Sequence, residues 1–513
     1  METVKIKKLN EVYNKIECEP SIAYELNDYF TFDVPGAKFM PAYRNKVWDG
    51  KIRLFNAMTC SLYGGLNRYI EEFCKARKYE IEYETDFSSN EFSLIEAKKF
   101  IEELKPKFQP RDYQLEAFVH SVRERRALLL SPTASGKSFI IYLLTRYYNA
   151  KTLIIVPTTT LIHQLAKDFK DYGYGSDHGL SDNNQGSDSR SGRVRIQPGT
   201  SSGREWTSGI HKIYSGQEKG SSSQITISTW QSIYKAPKEW FDQFEVVIGD
   251  EAHNFKAKSL TSILTKLENC KYRFGFTGTL DGTQTHKLVL EGLFGPVRKV
   301  TTTAELIDQK HLADFNIKAI VLSYPDEVRK MIARANDYQS EIDYIVRLEA
   351  RNNFIKNLTL SLEGNTLLLF QFVEKHGLIL QDKLSKEAGD RKLFFVHGGV
   401  DGEERDKVRE IVEKESNAII VASFGTFSTG INIKNLNNII FASPSKSRIR
   451  NLQSIGRVLR TSETKKKATL FDIADDLSWK TKKNYTLLHF MERIKVYNEE
   501  KFNYKIYKVS LNY

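Results

Sequence analysis

The chain has 513 residues, 40% of them hydrophobic, and carries 76 Lys and Arg against 64 Asp and Glu, a formal net charge of +12 at pH 7. That length exceeds what one core supports and predicts about three domains of ordinary size, while the basic excess favours a polyanionic partner, because each phosphate neutralised by Lys or Arg releases counterions. Cys18, Cys60, Cys74 and Cys270 are scattered with no Cys-x-x-Cys pair, so neither a zinc module nor a disulfide framework is suggested; no apolar centre of a signal peptide follows Met1, and no apolar run approaches the ~20 residues that span a bilayer, so a cytoplasmic chain without a membrane role is expected.

Residues 1–100 read as a small α+β domain. Trp48-Asp-Gly-Lys-Ile-Arg-Leu-Phe55 supplies an Asp-Gly hairpin signal followed by alternation, then a helix is predicted over 66–77 and a strand over 81–83. Arg44, Lys46, Lys51 and Arg53 stand near Tyr43 and Trp48, a combination suited either to phosphate contact with base stacking or to a solvated hairpin around a core Trp.

Residues 101–300 alternate apolar strand and helix, with strands predicted at 127–130, 152–156, 225–228, 246–248 and 273–276. Ser131-Pro-Thr-Ala-Ser-Gly-Lys-Ser138 lies between the first of these strands and an apolar helix, which is how a phosphate-cradling loop is built. Thr133, Ala134, Ser135 and Gly136 offer backbone N–H groups, Lys137 reaches the β- and γ-phosphates of ATP, and the Ser138 hydroxyl takes Mg²⁺. Ser131 departs from the usual Gly at the loop's first position.

Phe244-Glu-Val-Val-Ile-Gly-Asp-Glu-Ala-His253 is a buried parallel strand ending in two carboxylates. Asp250 can hold Mg²⁺ through its water shell, and Glu251 can orient and deprotonate an attacking water, the division of labour that phosphoryl transfer to water needs. Between the phosphate loop and this strand, residues 173–224 are rich in Gly, Ser, Asp and Asn, and read as a surface insertion that is at least partly disordered.

Residues 301–480 resume the alternation, with strands predicted at 317–322, 366–370, 392–396, 418–422, 438–442 and 469–472. The fold class is therefore α/β: two RecA-like parallel-sheet domains in tandem behind the small α+β domain. Gln453-Ser-Ile-Gly-Arg-Val-Leu-Arg460 places Arg457 and Arg460 three apart on a helix, pointing the same way. As arginine fingers they would raise turnover about a thousand-fold or more, with domain closure over ATP completing the site. Residues 481–513 are expected to be a helical tail in which Leu487, Phe490, Ile494 and Tyr497 pack on the domain before it.

These motifs, in this order from about Phe108 to Arg460, resemble the superfamily 2 helicases and translocases of the DEAH-box type. By that resemblance Gln114 of Gln109-Pro-Arg-Asp-Tyr-Gln114 reads adenine and Gln453 joins the nucleotide-binding set. Thr158, Thr160, Gln164, Thr229, Trp230 and Thr429 contact the nucleic-acid strand, and His253, Thr277 and Thr279 couple hydrolysis to movement. Asn45-Lys-Val-Trp-Asp-Gly-Lys-Ile-Arg53, the Ser-Pro-Thr-Ala-Ser loop and Glu500-Lys-Phe-Asn-Tyr504 are further similar to the UvsW recombination helicase family of tailed phages.

What this implies is an ATP- and Mg²⁺-dependent motor that remodels branched or single-stranded DNA, including forks, Holliday junctions and R-loops, in the host cytoplasm, with replication and recombination proteins as candidate partners. A DEAH-type RNA helicase stays open as an alternative, because backbone-tracking motifs read phosphate rather than base. A scaffold with a dead motor is disfavoured by the intact Lys137, Asp250, Glu251, Arg457 and Arg460. No heptad pattern is present, which points to a monomer.

Overall fold

The computed structural model describes residues 2–84, 90–174, 207–220, 222–430, 433, 435–447, 451–452, 454–456, 459 and 467–511, with the backbone alone at 207–208, 256, 402–403, 406 and 428–430. Contacts divide the chain into two compact units near Val300, the loop tip 132–135 aside.

The first unit opens with a mixed sheet of β1 (Thr3–Lys8), β2 (Tyr13–Glu17), β5 (Ser61–Tyr63) and β6 (Glu80–Tyr83) in the order β5-β2-β1-β6. β1 and β2 pair antiparallel across a turn in which Asn10 Oδ1 accepts from the Val12 and Tyr13 N–H groups at 2.8 and 2.9 Å. A two-stranded ribbon of β3 (Thr31–Asp33) and β4 (Lys51–Arg53) stands apart from that sheet. The Asp-Gly signal is a real turn, since Asp49 Oδ1 accepts from the Lys51 N–H at 3.1 Å and Gly50 sits at φ +80°. It closes no two-residue hairpin, however, because β4 pairs back to β3 across the whole excursion 34–50.

Behind it lies a seven-stranded parallel sheet of β7 (Arg126–Leu130), β8 (Thr152–Val156), β9 (Thr207–Ile213), β10 (Ser223–Thr229), β11 (Val246–Asp250), β12 (Tyr272–Thr277) and β13 (Val297–Lys299), in the order β13-β7-β12-β11-β8-β10-β9. Its central strands are runs of Leu, Ile and Val buried on both faces, as a sheet covered by helices on each side requires. β9 corrects the reading of 173–224 as surface insertion throughout: residues 207–213 extend the sheet beside β10. The rest of that stretch lies mostly outside the described residues.

One apolar cluster joins the small mixed sheet to the large one. Val4, Ile6, Phe30, Leu66 and Phe73 pack in the same core as Leu128, Val247, Phe255, Leu290 and Phe294. The seam is close: a Cβ on Gly65 would lie 1.9 Å from the Glu291 carbonyl oxygen. Buried Glu291 receives the Tyr69 hydroxyl at 2.6 Å and the Val297 N–H at 2.9 Å.

The second unit is another seven-stranded parallel sheet, of β14 (Asp314–Ser323), β15 (Thr366–Phe370), β16 (Leu393–Val396), β17 (Ile419–Ser423), β18 (Asn438–Phe441), β19 (Lys467–Asp476) and β20 (Asn503–Ser510), in the order β16-β17-β15-β18-β19-β14-β20. The expected helical tail does contain a helix, Tyr485–Glu499, whose Phe490, Leu487 and Ile494 pack on Ala319, Val321 and Ala474. It then returns as β20 along β14, so the tail is helix and strand rather than helix alone. Two buried ion pairs fasten this unit. Arg351 meets Asp475 at 2.7 Å, and Arg493 meets Asp472 at 2.8 Å while donating to the Ser445 carbonyl at 2.9 Å.

Candidate nucleotide and nucleic-acid sites

β7 runs apolar to Leu130, and the chain then turns sharply. The buried Ser131 N–H donates to the Thr277 carbonyl at 2.8 Å, tying the loop to the neighbouring strand end. Ser135 Oγ donates to the Pro132 carbonyl at 2.7 Å, and Ala134 and Gly136 both take positive φ, 68° and 80°. Left-handed residues on either side of Ser135, which is not left-handed, give the alternation that curls peptide N–H groups inward to form an anion cradle. Gly136 caps the helix Lys137–Tyr148, whose positive end adds to that field.

A side chain at position 136 is excluded twice: the backbone is left-handed, and a Cβ there would lie 2.4 Å from Gln114 Nε2. Gln114 is itself fixed, accepting from the Arg111 N–H at 2.9 Å and donating to the Gly136 carbonyl at 3.4 Å. Its amide therefore connects the expected adenine-reading segment with the phosphate loop.

The carboxylate strand ends beside the same loop. Lys137 Nζ lies 3.6 Å from Glu251 Oε1, and Asp250 Oδ1 accepts from the Glu251 N–H at 2.9 Å. Burial pushes the Asp250 carboxyl up to about 6, with Glu251 adding to the rise and the Lys137 ammonium opposing it. A carboxylate made costly by burial is one that a cation would stabilise. A lone carboxylate of this kind, with the Ser138 hydroxyl of the adjoining loop as the other expected donor, is a sparse set of hard oxygens of the sort that suits an ion such as Mg²⁺, which keeps several waters and binds phosphate. No group of three or more His, Cys, Asp or Glu that would make an all-protein cage occurs among the described residues.

His253 Nδ1 lies 2.9 Å from Thr277 Oγ1 and 3.4 Å from Glu251 Oε2. Thr277 Oγ1 in turn donates to the Thr279 carbonyl at 3.0 Å. The three expected coupling residues thus form one hydrogen-bonded chain that begins at the candidate base. Thr279 Oγ1 is buried and has no partner among the described residues.

One participant was not foreseen. Tyr172, at the end of the helix Thr159–Asp171, places its hydroxyl 2.7 Å from Ser138 Oγ. Its ring packs edge-on against Phe108 and Phe139, and its carbonyl accepts from the Lys107 N–H at 3.2 Å. Burial pushes its phenol up to about 12, so the hydroxyl keeps its proton. No spacing rule joins residues 138 and 172, and the signal exists only in the fold.

The expected strand contacts stand at or just after the ends of β8 and β10 in the first unit and, for Thr429, after β17 in the second. Thr158 stands at the N-cap of the helix Thr159–Asp171 without a side-chain cap, its buried hydroxyl having no partner among the described residues, and Thr160 and Gln164 are exposed four residues apart on that helix. Thr229 Oγ1 pairs with Ser232 Oγ at 2.9 Å, and Trp230 is half-buried against the core. In the second unit Thr429 lies in the helix Phe424–Gly430, with only its backbone described. Gln453, Arg457 and Arg460 lie outside the described residues.

Comparison with known proteins supplies the family. Residues 3–84 match the N-terminal domain of DNA helicase UvsW, residues 107–282 the res subunit of type III restriction enzymes, and residues 349–462 the helicase conserved C-terminal domain. The ATP-dependent DNA helicase uvsW of Enterobacteria phage T4 is 35% identical over 97% of this chain and 97% of its own. A crystal structure of T4 UvsW aligns over 99% of this chain and 100% of that one at 32% identity, with a TM-score of 0.49. The DNA-bound ATP-dependent Type ISP restriction-modification enzyme LlaBIII shares the fold at 15% identity and TM-score 0.54, over 79% of this chain and 32% of that one. The first of these likenesses runs nearly end to end, and the chain belongs to the UvsW family of DNA helicases.

Proposed function

We propose that this chain is an ATP-dependent DNA helicase that unwinds or remodels branched DNA, such as forks, Holliday junctions and R-loops, in recombination, repair and replication. The observation that carries the hydrolytic part is the convergence of Lys137, Asp250 and Glu251 at one strand end, with Lys137 and Glu251 3.6 Å apart. The nucleic-acid part rests on kinship with a DNA helicase.

In this reading Lys137 and the loop 133–136 grip the phosphates of ATP, and Ser138 and Asp250 hold Mg²⁺, which supplies charge neutralisation on the phosphates. Glu251 takes a proton from the attacking water. Its second carboxylate oxygen faces His253, so protonation of Glu251 is felt along His253, Thr277 and Thr279. Gln114 and Gln453 complete the nucleotide site, and Arg457 and Arg460 act as arginine fingers. Thr158, Thr160, Gln164, Thr229, Trp230 and Thr429 hold the DNA strand. No helix among the described residues is long and apolar enough to cross a membrane, and the proposed setting is the host cytoplasm. The working unit is a monomer that meets replication and recombination proteins on DNA.

The test is steady-state ATP hydrolysis without nucleic acid, then with single-stranded DNA, a branched junction, or RNA of matched length, all at one salt concentration. Lys137→Ala is expected to abolish hydrolysis while DNA binding persists. Stimulation by RNA equal to or above that by branched DNA would replace this reading with that of an RNA helicase.

A further inference from the structure

The excursion between β3 and β4 is unusual in what it shows to solvent. Ten consecutive residues, Lys38 to Val47, are exposed, and six of them are apolar or aromatic: Phe39, Met40, Pro41, Ala42, Tyr43 and Val47. Val47 is 81% exposed and Phe39 67%. An apolar run of this kind is seldom left in water without a use.

The display is held in shape. The Val34 N–H donates to the Gly50 carbonyl at 2.8 Å, the Val47 N–H to the Ala42 carbonyl at 2.9 Å, and Trp48 Nε1 to the Lys51 carbonyl at 2.8 Å. Trp48 is therefore a half-buried strut rather than a core residue. Gly50 makes room for the Tyr43 ring, since a Cβ would lie 3.0 Å from it.

Charge names the occupant. Across residues 37–53 five cations, Lys38, Arg44, Lys46, Lys51 and Arg53, accompany a single carboxylate, Asp49. Asp49 is already taken by Arg53 at 2.5 Å, while Lys38 sits over the Phe39 ring at 5.3 Å. We propose that residues 38–47 form a wedge that recognises the branch point of DNA, with Phe39, Met40 and Val47 lying against base faces and Lys38, Arg44 and Lys46 on the flanking phosphates. This rests on the helicase reading and adds to it the element that selects structure.

A continuous duplex offers phosphates and grooves but hides its base faces, whereas a branch exposes a terminal pair and unstacked bases. Apolar side chains inserted at base steps and cations on the adjoining backbone are the chemistry that fits such a site. A lipid surface suits this segment less well, because its only α-helical turn, Pro41–Arg44, is too short to lie in a bilayer interface.

The test uses the full chain, a three-way fork and a linear duplex of equal length, with affinity read by fluorescence anisotropy at fixed salt. The triple variant Phe39→Ala, Met40→Ala, Val47→Ala is expected to lower the fork-over-linear affinity ratio about five-fold or more, with ATPase stimulation by single-stranded DNA within two-fold of the parent. The triple variant Lys38→Ala, Arg44→Ala, Lys46→Ala is expected to weaken the fork complex and flatten its salt dependence by about two to three charges. An unchanged ratio in the apolar variant overturns the wedge. So does apolar-dependent binding to phosphatidylserine–phosphatidylcholine vesicles with fork preference intact. Absence of any DNA-stimulated hydrolysis in the parent would instead sink the helicase reading, so the two failures are separable.

Discussion

At the scale of single residues, the nucleotide site depends on two contacts with measurable consequences. Gly136→Ala forces a Cβ into a left-handed position against Gln114. We expect at least about 1 kcal/mol of lost stability and a clear drop in nucleotide affinity, read by thermal shift and by fluorescent ADP titration. Tyr172→Phe keeps the ring among Phe108, Phe139 and Tyr142 and removes only the hydroxyl from Ser138. The expected result is a smaller gain in fluorescent-ADP affinity on adding Mg²⁺, with metal-free affinity retained. If Tyr172 acts only by packing, the Phe variant will match the parent in both conditions.

Among the elements, the clearest dependence is on the helix Tyr485–Glu499. Arg493 and Asp472 are both buried, and Tyr497 also donates to Asp472 at 2.8 Å. Removing one partner strands a charge, so Arg493→Met is expected to cost about 3–5 kcal/mol in urea unfolding, and the double variant Arg493→Met, Asp472→Asn less than the single. Equal losses in the two would mean that packing, not charge, sets the cost. This scale also shows what the chain discloses in one dimension. β7, β8, β11 and β15 were legible because strands buried on both faces are uninterrupted apolar runs. β20 was not, since an edge strand with the burial pattern of residues 503–510 needs almost no apolar residues and its Lys and Tyr read as surface. β9 was hidden inside a polar stretch for the same reason. Lys137, Asp250 and Glu251 were legible because strand, turn and helix punctuate them, whereas the Ser138–Tyr172 contact joins residues that only tertiary packing brings together.

For the molecule as a whole, three histidines set a response to acid, His489 among them because burial lowers it too. Burial lowers His376 well below the usual imidazole value, helped by the Arg351 charge, and lowers His120 to about 4, helped by Arg298 and Arg123. The unfolded chain therefore binds protons near pH 6.5 that the native chain refuses. Stability is full above that pH and is lost as pH falls from 6.5 toward 4. The urea midpoint should fall between pH 7 and pH 5, and His376→Asn should be weaker at pH 7 yet decline less steeply; an equal slope would place the titration elsewhere. The seam at Gly65 and Glu291 has a different reach. Because Ile6, Phe30 and Phe73 share a core with Leu290 and Phe294, residues 3–84 are no detachable cap, and cutting them away would leave the ATP-binding sheet with a raw apolar flank. Truncation would then report misfolding rather than lost recognition. The exposed 38–47 segment is in effect a tool head forged onto its handle: whatever rotation the first sheet makes while it handles ATP, the segment makes too.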